Sequence, residues 1–274
     1  MPTRHSSPHS SSPSANGSSQ ERYVIPNLRN ACRILKLLGS TPDGLKAADI
    51  GRRLGIPVTT TLRIMTTLHL EGFVRKNGTQ FELGPVLIQL GNASLAGTEI
   101  RAAALPVLEK LTAQIDETCH LAIPCDDRSL IVAVQDSPHP LRAASRPGFL
   151  AELHCSSTGK TFLAFLHQDR LTELYPTMRL TKRTANTLTT LAEIRRESDL
   201  IRKRGYSLDD EEFNLGVRCL AVPVFASDAS CVGAIGITAA TIRFTKDRIP
   251  EIAAAVKAAA AELSRLLGYT APSR

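Results

Sequence analysis

The sequence predicts an α+β protein in two parts: a small helical head with a two-stranded wing, then a larger domain of antiparallel sheet and flanking helices. Three observations carry this. Between residues 27 and 83 the apolar spacing runs helix, helix, tight turn, helix and hairpin, the order of a winged helix-turn-helix. From residue 118 onward it changes to short apolar runs paired across turns, accompanied by amphipathic helices. The charge divides in the same way. Residues 1–90 hold eleven Lys and Arg against five Asp and Glu, and the rest of the chain holds 22 against 21, so nearly all of the +7 excess is N-terminal. Such an asymmetry suits a small polyanion-binding unit joined to an electrically balanced one; the alternative is chance clustering on a solvated face.

Residues 1–22 are rich in Ser and Pro, have nothing apolar to bury, and read as a disordered tail. They lack the apolar centre of a signal peptide, and no run approaches the roughly 20 apolar residues that span a bilayer. A cytoplasmic chain without a membrane partner is therefore expected. The head occupies residues 23–84. Its first helix, NLRNACRILKLLG, turns Leu28, Ala31, Ile34, Leu35 and Leu38 inward and closes at Gly39. LKAADIGRRLG follows, with Ile50 and Leu54 inward and Arg52 and Arg53 outward. Gly55 and Pro57 make the turn into a third helix, on which Leu62, Ile64, Met65, Leu68 and Leu70 are expected to pack back. Phe73–Arg75 and Gln80–Leu83 read as the wing strands around an Asn-Gly turn. GPVLIQLGNASLAG is a linker helix, assigned to residues 85–98, and residues 99–270 form the second domain. There a helix over Ile100–Ile115 precedes the hairpin TCHLAIPC/SLIVAVQD. LHCSSTGKTFLAFL turns into a helix near Ser157, and Thr190-Leu-Ala-Glu193 is a capping box opening a helix that ends at Gly205. RCLAVPVF and CVGAIGITA form another hairpin. A last helix from about Lys246 to Leu267 turns Ile249, Ile252, Val256, Leu263 and Leu266 inward.

The third helix of the head is unusual in its threonines. Threonine is a mediocre helix former, so its repetition argues that the hydroxyls are wanted. Thr59, Thr60 and Thr61 stand in the first turn, with Arg63 one turn on, where a recognition helix meets base edges and phosphates. Arg52 and Arg53 before the turn, and Arg75 and Lys76 in the wing, add phosphate contacts. A helix cap accounts for one of the threonines but not for three in series.

Several blocks together resemble the IclR-type bacterial transcriptional regulators, over about residues 24–268. They are VIPNLRNACRILKLL, GLKAADIGRRLGIPVTTTLRIMTTLHLEGFV, FELGPVLIQLG, LHCSSTGKTFLAFL, DDEEFNLGVRCLAVPVF and RFTKDRI, in that order. The resemblance implies a winged-helix domain, a linker helix and a GAF-like effector domain. It further implies a homodimer or dimer of dimers that binds double-stranded operator DNA and responds to a small molecule, often an organic or aromatic acid. By motif position Ser157, Thr158, Asp209, Cys219, Gly236 and Thr238 fall where relatives touch their ligand. The loop HCSSTGK suits an anion, because it delivers Ser156, Ser157, Thr158 and Gly159 to a helix N-terminus with unpaired amides. A carboxylate would take that cradle while Asp209 accepts a bond from a ligand hydroxyl. The plainer alternatives are an ordinary cap at Ser156–Thr158 and a solvated acidic turn at Asp209. Glu152 stands where many relatives have proline, Ser157 or Thr158 where they have alanine, and Gly236 where serine is frequent. These departures suggest a pocket more polar at the loop and less so at the strand. Arg142 is a further candidate counter-ion.

Cys119-His120 and His154-Cys155 invite a Cys-His hydrolase reading, but neighbours in a strand face opposite ways and no third orienting group follows. Cys119, Cys125, His120 and His154 include good zinc ligands without regular spacing. Cys219 is the best candidate for a redox-sensing thiol, so a metal- or thiol-responsive regulator is the alternative to a ligand-responsive one. No catalytic residue, metal ligand or cofactor is assigned.

Overall fold

A computed structural model describes residues 23–96, 99–176 and 178–270. The tail expected over residues 1–22 and the end of the linker expectation, residues 97–98, lie outside the described residues. The chain divides into two compact units between Ser94 and Leu95.

In the first unit α1 (Pro26–Gly39), α2 (Ala47–Leu54) and α3 (Val58–Leu70) enclose a core of Ile34, Leu38, Ile50, Met65, Leu68 and Val74. Gly55 closes α2 in the left-handed conformation (φ 68°), which a glycine adopts without steric cost, and Ile56 drops into the core before α3 begins. The inward stripe of α3 is Thr61, Ile64, Met65 and Leu68, spaced i, i+3, i+4, i+7. Leu62 is one residue off that stripe and Leu70 two past its end, so both are exposed, contrary to the expectation that they pack inward. Leu28 is exposed too, and borders an open groove between α1 and α3 that Thr60 and Arg63 also line. The wing is β1 (Val74–Asn77) and β2 (Gln80–Leu83), paired from Val74↔Leu83 to Asn77↔Gln80. Phe73 does not join β1, because its amide closes the end of α3 on the Leu68 carbonyl (2.8 Å).

The linker sequence forms α4 (Pro85–Ala96), and α5 (Glu99–Ile115) opens the second unit. Its sheet has six strands, all antiparallel: β3 (Thr118–Cys125), β4 (Arg128–Gln135), β5 (Leu150–Glu152), β6 (Ser207–Asp210), β7 (Val217–Phe225) and β8 (Cys231–Ala240), in the order β5-β4-β3-β8-β7-β6. The two short edge strands were not expected from sequence. Each has only three or four residues, and both include acidic side chains, as protected sheet edges do. On one face α5 and α9 (Ile249–Leu266) bury Leu121, Leu220, Val222, Ile235 and Ile237. On the other, α6 (Ser157–Phe165) and, after the short α7 (Leu171–Leu174), α8 (Leu191–Arg204) pack Phe162, Leu163 and Ile194 against Ala122, Ala221 and Ala234. The capping box at Thr190/Glu193 and the left-handed stop at Gly205 define α8. A 3₁₀ turn, Lys246–Arg248, precedes α9, and Leu266 near its end is exposed where an inward position was expected.

Leu108, fully buried between α5 and the sheet, tests this core. Leu108→Ala should cost about 2–5 kcal/mol in urea unfolding, through lost transfer energy and the cavity left behind. A loss below about 1 kcal/mol would mean that α5 lies outside the cooperative core.

Candidate functional site

Each unit carries one candidate site. In the head, the outward face of α3 shows Thr59, Leu62, Arg63 and Thr66 exposed, with Thr60 half-buried. The threonines separate by hydrogen bonding. Thr61, Thr66 and Thr67 donate back to the carbonyls of Pro57, Leu62 and Arg63 at 2.9–3.1 Å, the local bond that satisfies a helical hydroxyl. Thr61 is also fully buried, so its place in the expected DNA-contacting set is corrected: it is a core residue. No side chain caps α3. Around it Arg52 is held by Asp49, whereas Arg53 makes no ion pair among the described residues. In the wing Arg75 pairs with Glu82 (2.7 Å), which Asn77 also binds; both partners hold the Glu82 carboxyl below its usual range. Lys76 makes no ion pair among the described residues and is exposed. The head thus presents Thr59, Thr60, Arg53, Arg63 and Lys76 with polar groups uncommitted, and Arg52 and Arg75 already neutralised.

The second unit holds a cavity of about 440 Å³ between α6 and the sheet. Cross-strand register builds its floor. Asp209, Cys219 and Thr238 stand side by side on β6, β7 and β8, and the next row is Ala221, Gly236 and His120. Ser156, Ser157 and Thr158 reach it from the start of α6, Ile131 and Val217 line it, and Phe149 and Phe213 add an aromatic wall, meeting edge to face at 6.0 Å. Five of the six residues expected at the ligand therefore line one cavity. Gly236 does not; the imidazole of His120 from β3 lies over it instead, so a polar group from the neighbouring strand stands where β8 offers none. Other expectations also change. The Gly159 amide is taken by the Ser156 hydroxyl (3.1 Å), leaving the amides before it as the open ones. Glu152 adds no polarity to the cavity, because Arg183 binds it at 2.7 Å and Arg183 in turn stacks over Phe213. Arg142 pairs with Asp136 (3.3 Å) away from the cavity, while Arg146, four residues on, lines it and makes no ion pair among the described residues. A turn closed by the Phe149 amide on the Arg146 carbonyl brings both residues to the rim, and nothing in the local sequence distinguishes Arg146 from Arg142 beforehand.

Charge beneath the floor is arranged around buried Lys160, which binds Glu212 and the Leu208 carbonyl and lies 3.7 Å from Glu197. Asp209 is 2% exposed and accepts the amides of Glu212 and Phe213 on one oxygen, at 2.7 and 3.2 Å. Burial pushes its carboxyl up to about 6, against the pull of Lys160 and those amides, and pushes Glu212 up to about 7. Asp209 and Glu212 are thus internal, while Asp210 and Glu211 between them are half-buried. Burial keeps four thiols protonated: it moves Cys119, Cys155 and Cys231 up to about 12, and Cys219 well above its usual value. Cys119 belongs to the core and His120 to the cavity, on opposite sides of β3. Among the described residues no group of three or more His, Cys, Asp or Glu could hold a metal ion, and no helix is long and apolar enough to cross a membrane.

Comparison with known proteins matches residues 28–78 to the IclR helix-turn-helix domain and residues 92–265 to the bacterial transcriptional regulator IclR C-terminal domain. The chain is 30% identical to the transcriptional repressor IclR of Escherichia coli (strain K12), over 89% of this chain and 90% of that protein. It is 34% identical to the glycerol operon regulatory protein of Streptomyces griseus, over 89% and 97%. The crystal structure of an IclR transcriptional regulator from Alicyclobacillus acidocaldarius superposes with a TM-score of 0.78 at 27% identity, covering 90% of this chain and all of that one.

The raised Asp209 carboxyl gives a signed pH effect. Its protonated form favours the fold, a contribution complete below the unfolded value near 4 and lost as pH rises through about 6. Asp209→Asn keeps the acceptor oxygen and cannot ionise. Its urea stability relative to the parent chain should rise between pH 4 and pH 7, by an amount on the order of 1–3 kcal/mol. An unchanged difference would show that Asp209 ionises freely.

Proposed function

The chain belongs to the IclR family of transcriptional regulators, and from that premise we propose which of its residues perform the family's two tasks. Members bind operator DNA and answer to small organic acids; the chain is a DNA-binding regulator, not an enzyme. In this reading the head is residues 23–84, the linker residues 85–98, and the effector domain residues 99–270. Thr59, Thr60 and Arg63 enter the major groove, and Arg52, Arg53, Arg75 and Lys76 hold phosphates, the two paired arginines by exchanging their carboxylates for DNA. The support is the free hydroxyls and cations on the outward face of α3 and its surroundings. Two heads in a homodimer meet a two-fold related operator. The exposed apolar residues Tyr23, Val24, Ile25 and Leu28 are consistent with such pairing.

The effector is an organic acid held in the cavity, its carboxylate on the amides that open α6 and on Arg146. One observation carries this: an open helix N-terminus and an unpaired guanidinium converge on a cavity large enough for a small acid. Asp209, whose turn amides occupy one oxygen, accepts a donor from the ligand with the other. Binding shifts the arrangement of the heads, a coupling of about 1–3 kcal/mol.

Arg63→Ala should weaken binding to operator DNA by about 1–3 kcal/mol and relax discrimination against scrambled DNA, read by fluorescence anisotropy. Unchanged discrimination would remove Arg63 from base reading. Thermal shift against small organic acids should raise the melting temperature of the parent chain, by the equivalent of about 2.7 kcal/mol at a hundred times Kd. Arg146→Ala should weaken that binding by about 1.5–3 kcal/mol, the value of a hydrogen bond to a charged group. Retained affinity would place the carboxylate elsewhere.

A further inference from the structure

His120 is a buried side chain whose ring nitrogens find no hydrogen-bond partner among the described residues. It is 3% exposed, its Nδ1 is sealed off without a hydrogen-bond partner among the described residues, and no described residue accepts from its Nε2. A buried polar ring left unsatisfied costs stability, so it calls for an explanation. Its position supplies one. The ring lines the cavity floor, and its Nε2 end lies across Gly236 on the neighbouring strand. A Cβ at residue 236 would fall 2.4 Å from Nε2, so the glycine is what allows the imidazole to lie there. The ring's chemistry then follows. Burial draws it down to about 4, so it is neutral near pH 7 and carries one N–H. A sealed donor is costlier and rarer than an under-used acceptor, which puts the hydrogen on Nε2, the nitrogen at the cavity end. A neutral, directional donor is not a counter-ion for a carboxylate. It reads a second, uncharged oxygen.

Building on the effector-pocket reading above, we propose that His120, seated by Gly236, sets effector specificity: its Nε2–H donates to an oxygen that the ligand carries besides its carboxylate. The chain therefore answers to hydroxy or oxo acids in preference to the parent acids. The Phe149–Phe213 wall admits aromatic as well as short-chain members of that class.

The test is calorimetric titration of the full chain with matched pairs: benzoate and 4-hydroxybenzoate, propanoate and pyruvate, butanoate and 2-oxobutanoate. In at least one pair the oxygenated acid should bind about tenfold more tightly, the effect of one hydrogen bond. His120→Phe should bring that ratio within about threefold, and so should Gly236→Ala, whose methyl displaces the ring. Nitrogen-15 NMR of the parent chain, which needs no variant to fold, should show the Nε2–H tautomer and a shift on adding the oxygenated acid that its parent does not cause. Acids that bind without preference, a preference that survives in both variants, or a ring protonated on Nδ1 would overturn the proposal and leave the pocket reading intact. If no acid in the panel binds, both fall.

Discussion

Every strand in the central sheet must serve two different neighbours with one backbone. Side chains alternate with a period of two, so residues adjacent in the chain have opposite fates. On β3 Leu121 goes to the core beneath α5 and α9, while His120 and Ala122 face α6. On β7 Leu220 and Val222 go one way, Cys219 and Ala221 the other, and β8 does the same with Ile235 and Ile237 against Gly236 and Thr238. The core face takes large aliphatic residues and closes. The opposite face carries Ala, Gly, Cys and Thr beside α6, and the volume they leave unfilled becomes the cavity. The same alternation separates Cys119 from His120 on β3, whereas His154 and Cys155, expected in a strand, lie in the turn between β5 and α6.

Electrostatics is handled differently in the two units. The second buries charge and compensates for it locally: Lys160 answers Glu212 and Glu197, Arg204 closes on Glu197 at 2.6 Å, and Arg243 is held by Glu117. Asp209 sits at the edge of that group and faces the cavity, so any anion entering from the α6 side meets one carboxylate whose charge burial already disfavours. The head keeps its cations on the surface, where ion pairs are weak and exchangeable. Its surplus is smaller in effect than its composition suggests, since Arg52 and Arg75 already have partners.

Much of the fold was legible because it depends on periodicity and on punctuation. The stripe through Ile34, Leu38, Ile50 and Met65, the turn at Gly55, the capping box at Thr190 and the two long hairpins are local patterns that tertiary packing has no reason to override. The errors fall where the pattern admits two solutions. On α3 the apolar run accepts a stripe through Leu62 or one through Thr61, and packing chose Thr61, whose hydroxyl is satisfied by its own helix. The edge strands β5 and β6 were not legible, since runs of three and four residues are too short for a period-two pattern to show.

The candidate cavity divides along the same line. Ser157, Thr158, Asp209, Cys219 and Thr238 could be named from motif position, because their spacing along the chain is what the motif records. His120, Arg146, Phe149 and Phe213 could not, since they arrive from separate elements and share only a place in space. The sequence by itself determined the elements, their order and the two-part division, because helical and extended periodicity and turn chemistry act within a few residues. Only the tertiary structure decided which arginine of the 142–146 loop reaches the cavity, that Thr61 is core, and that an imidazole lies where β8 has only glycine. Each of those depends on the register and packing of residues far apart in the chain.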